Sequence, residues 1–276
     1  MLSGELLKNG FTVNHIVIVK YAETNISLTV FDSLQNTFIA FEKLAFQSRS
    51  IFSENIQETE IGKMLIHKEK TFGKIILLID NPVFTIIPGE LYREHDKVKY
   101  LLHTHSYHEN EGEHSDHLKN MGSYNVYWLP YDMKSFAAKH FLTYELKHFA
   151  TIFTNYCLSL NKKNEAMYIH VGANIIYVTV VSGGKPVLCN AYKYNTIEDF
   201  TFYILKVYQK IFQKPDSASL LISGEIEKIS EYKTTISKYI RNVDFIMNSE
   251  EFKYGEGISK MPLPVNNILF STPLCV

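Results

Sequence analysis

Histidines and carboxylates are concentrated in one stretch of this chain. Six of the eleven histidines lie between His95 and His117, and residues 103–117 also contain three glutamates and one aspartate. Imidazole and carboxylate groups together bind Zn²⁺ or Ni²⁺. The stretch has no HExxH motif, and a flexible polar loop would lose conformational entropy on closing around an ion. Metal binding through a histidine-rich loop at 103–117 is therefore one hypothesis, and a solvated loop without a resident metal is the other; we assign no metal ligand.

The common catalytic motifs are missing from the sequence. There is no GxSxG elbow and no P-loop of the form GxxxxGK[ST], since Ser182-Gly183-Gly184-Lys185 lacks the first glycine and has the spacing of a hairpin turn. The three cysteines are far apart and form no CxxC pair, which predicts free thiols rather than a disulfide framework. We therefore assign no catalytic residue and no cofactor.

Charge and hydropathy exclude two classes of partner. The 28 basic and 29 acidic residues give a net charge of −1, whereas nucleic-acid binders usually carry a basic excess or a clustered basic stripe. No continuous apolar run is long enough to span a membrane, and residues 1–11 lack the apolar core of a signal peptide. We expect a cytoplasmic protein with no nucleic-acid partner and no membrane span.

The first half of the chain alternates between strand and helix patterns. Apolar runs predict strands at 15–21, 26–32, 37–41, 74–80, 83–87 and 124–129. The first three are separated by short polar turns and therefore predict an antiparallel meander. Helical patterns cover about 53–67 and 88–102, and a polar loop is predicted at 103–121.

A long helical stripe follows the first half. From Leu142 to Leu160, apolar residues recur at alternating spacings of four and three, which is one face of a helix. Asp132 is a suitable N-cap. The pattern predicts a connecting helix over 131–163 that is roughly 40 Å long, ending at a lobe boundary in residues 161–164.

The second half repeats the pattern of the first. Strands are predicted at 167–171, 175–181, 186–192, 219–222 and 243–247, with helices at 196–213 and about 223–241. Thr196 and Asp199 have the spacing of a capping box at the start of the first of these helices. Beyond residue 247 the pattern becomes irregular, and we expect the apolar end of the tail to dock on a lobe.

The shared order of elements indicates an internal duplication. Both halves read as a three-stranded meander, helix, strand, helix and strand. The best local match pairs residues 87–91 with 222–226, each placed where a strand turns into a helix. We therefore predict a first lobe at 1–130, the connecting helix at 131–163, and a second lobe with an irregular tail at 164–276.

Three stretches carry a family resemblance. The segments VFTIIP at 83–88, NAYKYNTIEDFTFY at 190–203 and ISGEIEKISEYKTTISKY at 222–239 resemble an uncharacterised bacterial family, domain-of-unknown-function family 3822. The element order also resembles two ribonuclease-H-like units, as in the superfamily of actin, sugar kinases and heat-shock ATPases. The resemblance implies the α/β class and an actin-like ATPase architecture, and it implies no activity.

The turns that would bind nucleotide in such a fold are only partly present. A phosphate-binding turn needs glycines for close backbone approach, and Mg²⁺ needs a carboxylate. The first-lobe turn at 20–25 has neither glycine nor aspartate, and in the second lobe His170 stands where an aspartate is expected. A nucleotide site, with weak or no hydrolysis, would use Gly172, Asn174, Ser223, Gly224 and Glu225. A ribonuclease-H-like nuclease is disfavoured because neither central strand carries a carboxylate.

The leading functional prediction is a non-enzymatic actin-like protein that acts as an adaptor or scaffold by binding another protein. Its candidate contact face lies on the helix at 196–213, where Phe202, Tyr203 and Tyr208 fall outside the main apolar stripe. Burial of both faces of that helix within the lobe is the alternative. The nucleotide-binding and metal-binding hypotheses also stay open at this level.

Overall fold

The computed structural model describes residues 10–46, 51–66, 72–160, 165–214, 216–224, 229–247, 249–261 and 266–276. In chain order the strands are β1 (His15–Tyr21), β2 (Asn25–Asp32), β3 (Thr37–Ala45), β4 (Lys74–Ile79), β5 (Phe84–Pro88), β6 (Glu111–Leu118), β7 (Ser123–Pro130), β8 (Tyr144–His148), β9 (Ala166–Val171), β10 (Ile175–Ser182), β11 (Lys185–Lys193), β12 (Ser219–Gly224), β13 (Val243–Phe245) and β14 (Lys253–Tyr254). The α-helices are α1 (Phe52–Glu58), α2 (Glu60–Ile66), α3 (Lys97–Leu102), α4 (Tyr131–His140), α5 (Phe149–Leu160), α6 (Ile197–Phe212), α7 (Ile229–Ile236), α8 (Glu256–Ser259) and α9 (Asn267–Phe270).

Apart from β14, which the C-terminal tail adds to the first, two sheets share one strand order, which confirms the predicted duplication. The first runs β14-β3-β2-β1-β4-β8 and the second β11-β10-β9-β12-β13. In each, the central strand (β1 or β9) pairs antiparallel with the next strand in the chain and parallel with the strand that follows the first helical segment. This is the doubled ribonuclease-H-like arrangement of an actin-like α/β fold.

Local sequence accounts for most of these elements. The run HIVIVKY of β1 is buried along nearly its whole length, as expected for a central strand covered on both faces. The predicted capping box is present at α6, where the Thr196 side chain accepts from the Asp199 N–H and the Asp199 carboxylate accepts from the Thr196 N–H.

The predicted connecting helix over 131–163 is wrong. The described part of that range contains α4, then strand β8, then α5. Leu142, which begins the apolar stripe, is fully exposed, and Leu146 lies on β8 opposite Leu77 of β4. The last four residues of the stripe, from Phe149 to Leu160, lie on α5, and the first two match the helical spacing only by coincidence. The predicted boundary at 161–164 lies outside the described residues.

An inserted sheet of three strands, β5-β7-β6, explains two further errors. The predicted helix at 88–102 is reduced to a 3₁₀ turn at Glu94–Asp96 and the short α3, and the predicted loop at 103–121 contains β6. Because β5 and β7 belong to the insertion, the last strand of the first unit is β8. The match between residues 87–91 and 222–226 therefore does not join equivalent positions, since the counterpart of β12 is β4.

The core joins the two sheets and includes the C-terminal tail. Helix α5 packs between the sheets, and one apolar cluster contains residues of α5, of the first sheet and of β9 and β10. The tail returns to the first sheet, where β14 pairs with β3 and the Phe270 ring lies 5.0 Å from that of Phe38. The expectation that its apolar end docks on a lobe is confirmed. It packs on the first lobe, although it was assigned to the second, and it also bonds to the second lobe through the Asn266 N–H to the Gly224 carbonyl and the Asn267 amide to the Ile246 carbonyl. Within the described ranges, no helix is long and apolar enough to cross a bilayer.

Candidate functional site between the lobes

The turns after the two central strands meet between the lobes. Each turn joins its central strand to the next strand through four residues, because Tyr21 pairs with Ile26 in the first lobe and Val171 with Ile176 in the second. The Asn174 amide of the second turn donates to the Glu23 carboxylate of the first at 3.2 Å. This is the place where an actin-like fold would present its phosphate-binding turns.

A buried ion pair lies directly behind the first turn. Lys20 is fully buried on β1, and its ammonium group lies 3.1 Å from Asp80 Oδ2 at the end of β4. The Tyr177 hydroxyl of the second lobe lies 2.6 Å from Asp80 Oδ1 and 2.9 Å from the Asn81 carbonyl oxygen. The carboxylate is therefore engaged by one cation and by one hydroxyl from the opposite lobe.

The ion pair also borders the aromatic wall of α5. The Lys20 ammonium lies 5.5 Å from the centre of the Phe149 ring, and the His170 ring packs on the same phenyl group at 4.8 Å. By strand register Lys20 and His170 occupy equivalent positions on β1 and β9. The duplication thus places two nitrogen-bearing side chains where a magnesium-binding ATPase would need carboxylates.

His148, at the end of β8, is held in its neutral form. Its Nδ1 accepts from the Ala150 N–H at 3.1 Å, so Nε2 carries the proton and donates to Asn81 Oδ1 at 3.3 Å. Burial lowers the pKa of His148 to about 3 because desolvation penalises the charged imidazolium. At neutral pH this side chain is a structural hydrogen-bonding group.

Asp116 of β6 is the second buried carboxylate of this region. It accepts hydrogen bonds from the Tyr127 hydroxyl at 3.1 Å, the His148 N–H at 2.8 Å and the Thr151 hydroxyl at 2.7 Å. Burial raises its pKa to about 6, while Lys147 and these hydrogen bonds act in the opposite direction. The bonds tie the inserted sheet to β8 and α5.

Two of the predicted nucleotide-binding residues lie in the second-lobe turn, and their polar groups are occupied. The Gly172 N–H donates to the Ile175 carbonyl at 2.8 Å, and the Gly172 carbonyl accepts from the Tyr194 hydroxyl at 2.7 Å. Asn174 is engaged through its amide with Glu23. The Gly172 N–H is therefore committed to the turn itself, so a phosphate oxygen would have to compete with an internal acceptor.

The other predicted residues lie at the end of β12, beside that turn. The buried Ser223 hydroxyl lies 2.9 Å from His170 Nδ1 and 3.3 Å from the Ile169 carbonyl. A Cβ on Gly224 would come within 2.7 Å of the Val171 carbonyl oxygen, so this glycine permits close packing of β12 on β9. Glu225 lies outside the described residues. The structure thus brings Gly172, Asn174, Ser223 and Gly224 together at the carboxyl ends of β9 and β12, where contacts within the protein engage them.

The histidine-rich stretch is spread over several elements instead of forming a loop around an ion. His105 contacts the Phe84 carbonyl at 3.1 Å, His114 packs edge-on against Tyr127 and His117 stacks on Tyr124. In the portion of the chain that the structure describes, no three histidine, cysteine or acidic side chains are grouped closely enough to hold a metal ion.

Sequence reasoning missed the residues that dominate this region, namely Lys20, Asp80 and Tyr177. One signal was present. A lysine inside HIVIVKY and an aspartate closing KIILLID are isolated charges at the ends of strands that otherwise read as buried. Buried charges are paired, which predicts that each has a partner.

Comparison with known proteins identifies the family of this chain. Residues 12–243 match the family described as "Protein of unknown function (DUF3822)". The chain belongs to this family. The DUF3822 assignment covers both lobes and the inserted sheet, and it confirms the resemblance found in the sequence. No curated protein matches the chain.

Solved structures bear on the fold of this DUF3822 chain. A Bacteroides thetaiotaomicron VPI-5482 protein with an actin-like ATPase fold and unknown function superposes with a TM-score of 0.74 at 16% identity, covering 85% of this chain and 91% of that one. The PilM–PilN type IV pilus biogenesis complex matches with a TM-score of 0.57 at 10% identity, covering 94% and 97%. Such identities support a shared fold and carry no activity across.

Proposed function

We propose that this DUF3822 protein is a non-enzymatic member of the actin-like fold that acts as an adaptor or scaffold by binding another protein. The observation that carries the proposal is the Lys20–Asp80–Tyr177 cluster between the lobes. The cluster is buried between the lobes, and its groups are already bonded to one another.

A nucleotide would have to compete with these bonds. Binding a phosphate at Lys20 requires the ammonium to leave Asp80, which would leave a buried carboxylate without its cation, and such uncompensated charges are costly. A Mg²⁺ ion would find Lys20 and His170 at the two positions where carboxylates are needed. The lobes are therefore joined by groups that an ATPase would keep free for its ligand.

The fold supports a role in assembly. The PilM–PilN relative is a complex of two proteins that is named for type IV pilus biogenesis. An actin-like protein without a working nucleotide site still offers two lobe surfaces to partners.

The alternative function is nucleotide binding with weak or no hydrolysis. One observation favours it: Gly172, Asn174, Ser223 and Gly224 converge at the carboxyl ends of β9 and β12. A metal-binding role through residues 103–117 has no comparable support.

Thermal unfolding with Mg²⁺-ATP, Mg²⁺-ADP and Mg²⁺ alone separates these functions. A ligand at about 100 times its dissociation constant adds about 2.7 kcal/mol to stability, which shifts the midpoint measurably. We expect no midpoint shift at millimolar nucleotide and no effect of EDTA. A nucleotide-dependent shift that is lost in Asn174→Ala would overturn the adaptor proposal in favour of the alternative.

Chemical cross-linking in the host cells, followed by purification of the tagged chain, tests the positive side of the proposal. We expect one protein to co-purify in near-equal amount with the full-length chain. Absence of any such protein would count against the adaptor role, whatever the nucleotide result.

A further inference from the structure

An apolar groove of about 590 Å³ lies on the second lobe, between β11 and α6. Strand β11 is the edge of its sheet, and α6 packs over the middle of that sheet, so a strip along the edge is left uncovered. The apolar side chains that line it come from β11 and α6, namely Val187, Leu188, Tyr192, Tyr203, Val207 and Ile211. Val187 remains 54% exposed beside the groove.

The groove coincides with part of the contact face predicted from the sequence. Phe202 is 57% exposed, and Tyr203 stacks on Tyr192 with ring centres 4.9 Å apart, which forms a flat aromatic floor. The prediction that Tyr208 belongs to this contact face is wrong. Tyr208 is buried, and its hydroxyl donates to the Ala218 carbonyl at 2.8 Å. The usable face is therefore narrower than predicted and is shared with β11.

The charge around the groove is one-sided. In the described part of the chain, Lys206 and Lys210 line it and no carboxylate does. The Lys206 ammonium lies 5.3 Å from the Phe202 ring centre, and among the residues that the structure describes neither lysine is in an ion pair. Lysines of this kind extend an apolar wall with their aliphatic stems and keep the charged end at the rim. A complementary ligand therefore carries apolar groups flanked by negative charge.

We propose that this groove binds a short segment of a partner protein, in which apolar side chains that fill the groove are flanked by carboxylates that pair with Lys206 and Lys210. The inference rests on the proposed adaptor function and names its contact surface and the chemistry of its partner. A volume of about 590 Å³ admits a few side chains, as expected for recognition of a peptide segment. Aromatic floors of this kind are common energetic centres of such interfaces.

A displayed library of random peptides about twelve residues long tests the proposal with the full-length chain as bait. We expect enriched peptides to combine aromatic or aliphatic residues with Asp or Glu. Fluorescence anisotropy of the labelled peptides should show binding weakened at least about tenfold by the double variant Lys206→Glu/Lys210→Glu. The matched control Lys139→Glu/Lys238→Glu makes the same change in net charge on exposed lysines elsewhere, and should leave binding unchanged.

A charge swap makes the test specific. Peptides in which Asp and Glu are replaced by Lys should bind the Lys206→Glu/Lys210→Glu chain and not the unchanged chain. No enrichment, or enriched peptides insensitive to the double variant, would overturn the proposal. Concentration-dependent self-association abolished by the same variant would also overturn it, because the occupant would then be a second copy.

The outcome is separable from that of the adaptor proposal. If the cross-linked partner still co-purifies with Lys206→Glu/Lys210→Glu, the groove is excluded as its site while the adaptor role stands. If Mg²⁺-ATP shifts the unfolding midpoint, the adaptor proposal fails, and that failure concerns residues between the lobes that do not line the groove.

Discussion

At the scale of single residues, the junction between the lobes centres on Lys20, whose ammonium group is removed from solvent and lies 3.1 Å from Asp80. A buried ion pair contributes little net stability, because desolvation offsets attraction, but breaking it leaves an uncompensated charge. The Tyr177 hydroxyl adds a second contact to the same carboxylate from the other lobe. These contacts make the pair a connection between the lobes.

Replacing one partner of the buried ion pair measures how much the pair matters to the free energy of unfolding. Asp80→Asn should lower the free energy of unfolding by about 3–5 kcal/mol, because it leaves the Lys20 charge buried without its carboxylate. Glu145→Gln is the matched control, since its pair with Lys74 at 2.7 Å is partly exposed and should cost no more than about 1 kcal/mol. Urea unfolding would give both values. Equal small losses would mean that the buried pair is readily replaced by solvent.

At the residue scale, the free energy of unfolding should also depend on pH. His148 has a folded-state pKa of about 3 against an ordinary value of 6.5, so its stabilising contribution is complete above about pH 6.5 and is lost as the pH falls towards 3. By about pH 4.5 the loss should be about 2–3 kcal/mol. We expect the stability gap between the unchanged chain and His148→Gln to shrink by that amount between neutral pH and pH 4.5 or so.

The exposed histidine His95 is the control for this pH series. Its side chain is 79% exposed, so His95→Gln should change the free energy of unfolding by no more than about 0.5 kcal/mol. A constant gap for His148→Gln across the series would contradict the assignment of a neutral buried imidazole.

At the scale of elements, the two sheets repeat the same order of strands, but the residues at the carboxyl ends of equivalent strands differ. The counterpart of β4, which ends at Ile79 just before Asp80, is β12, which ends at Gly224. The close approach of β12 to β9 requires a residue without a Cβ at that position, whereas a phosphate-binding role would require a free backbone N–H. These two roles predict different consequences for the two glycines of the region.

Alanine at each glycine separates the roles. Gly224→Ala should lower stability by about 1–3 kcal/mol through overpacking, because the new Cβ would lie 2.7 Å from the Val171 carbonyl oxygen. Gly172→Ala has its nearest contact at 3.3 Å and should cost less than about 1 kcal/mol. Chemical denaturation of the two variants gives the comparison. A larger loss at Gly172 would indicate a constraint beyond packing.

At the scale of the whole molecule, the lobes share one large apolar cluster, while the second lobe has another of its own beneath α6. Tyr177 and Tyr168 of the second sheet belong to the same apolar cluster as Phe149 of α5 and the strands of the first sheet. The C-terminal tail adds a strand and a helix to the first lobe. A chain folded in this way cannot lose one lobe without exposing the core of the other.

Calorimetry tests this coupling. We expect a single unfolding transition in which the calorimetric and van't Hoff enthalpies agree, as in a cooperative unit. Tyr177→Phe, which removes the hydroxyl from Asp80 and the Asn81 carbonyl, should lower the midpoint and keep one transition. Two resolved transitions in the unchanged chain would contradict the shared core.

The candidate site was predicted only in part. Gly172, Asn174, Ser223 and Gly224 do converge, because their strands occupy the positions that the duplicated order implies. That their polar groups are already bonded could not be foreseen, since the partners Glu23, His170 and Tyr194 act through tertiary contacts. The same is true of the groove beside α6, which depends on how far that helix leaves β11 uncovered.

The sequence by itself determined the elements whose signals are local. Apolar runs define the strands of both meanders, and Thr196 and Asp199 define the start of α6, because hydrophobic period and capping act over a few neighbouring residues. Only the tertiary structure decided that residues 131–160 form two helices and a strand, because β8 is a strand by virtue of its pairing with β4. It also decided the contacts between the lobes, since Lys20, Asp80 and Tyr177 are far apart in the chain and their bonds to one another form only when both lobes are folded together.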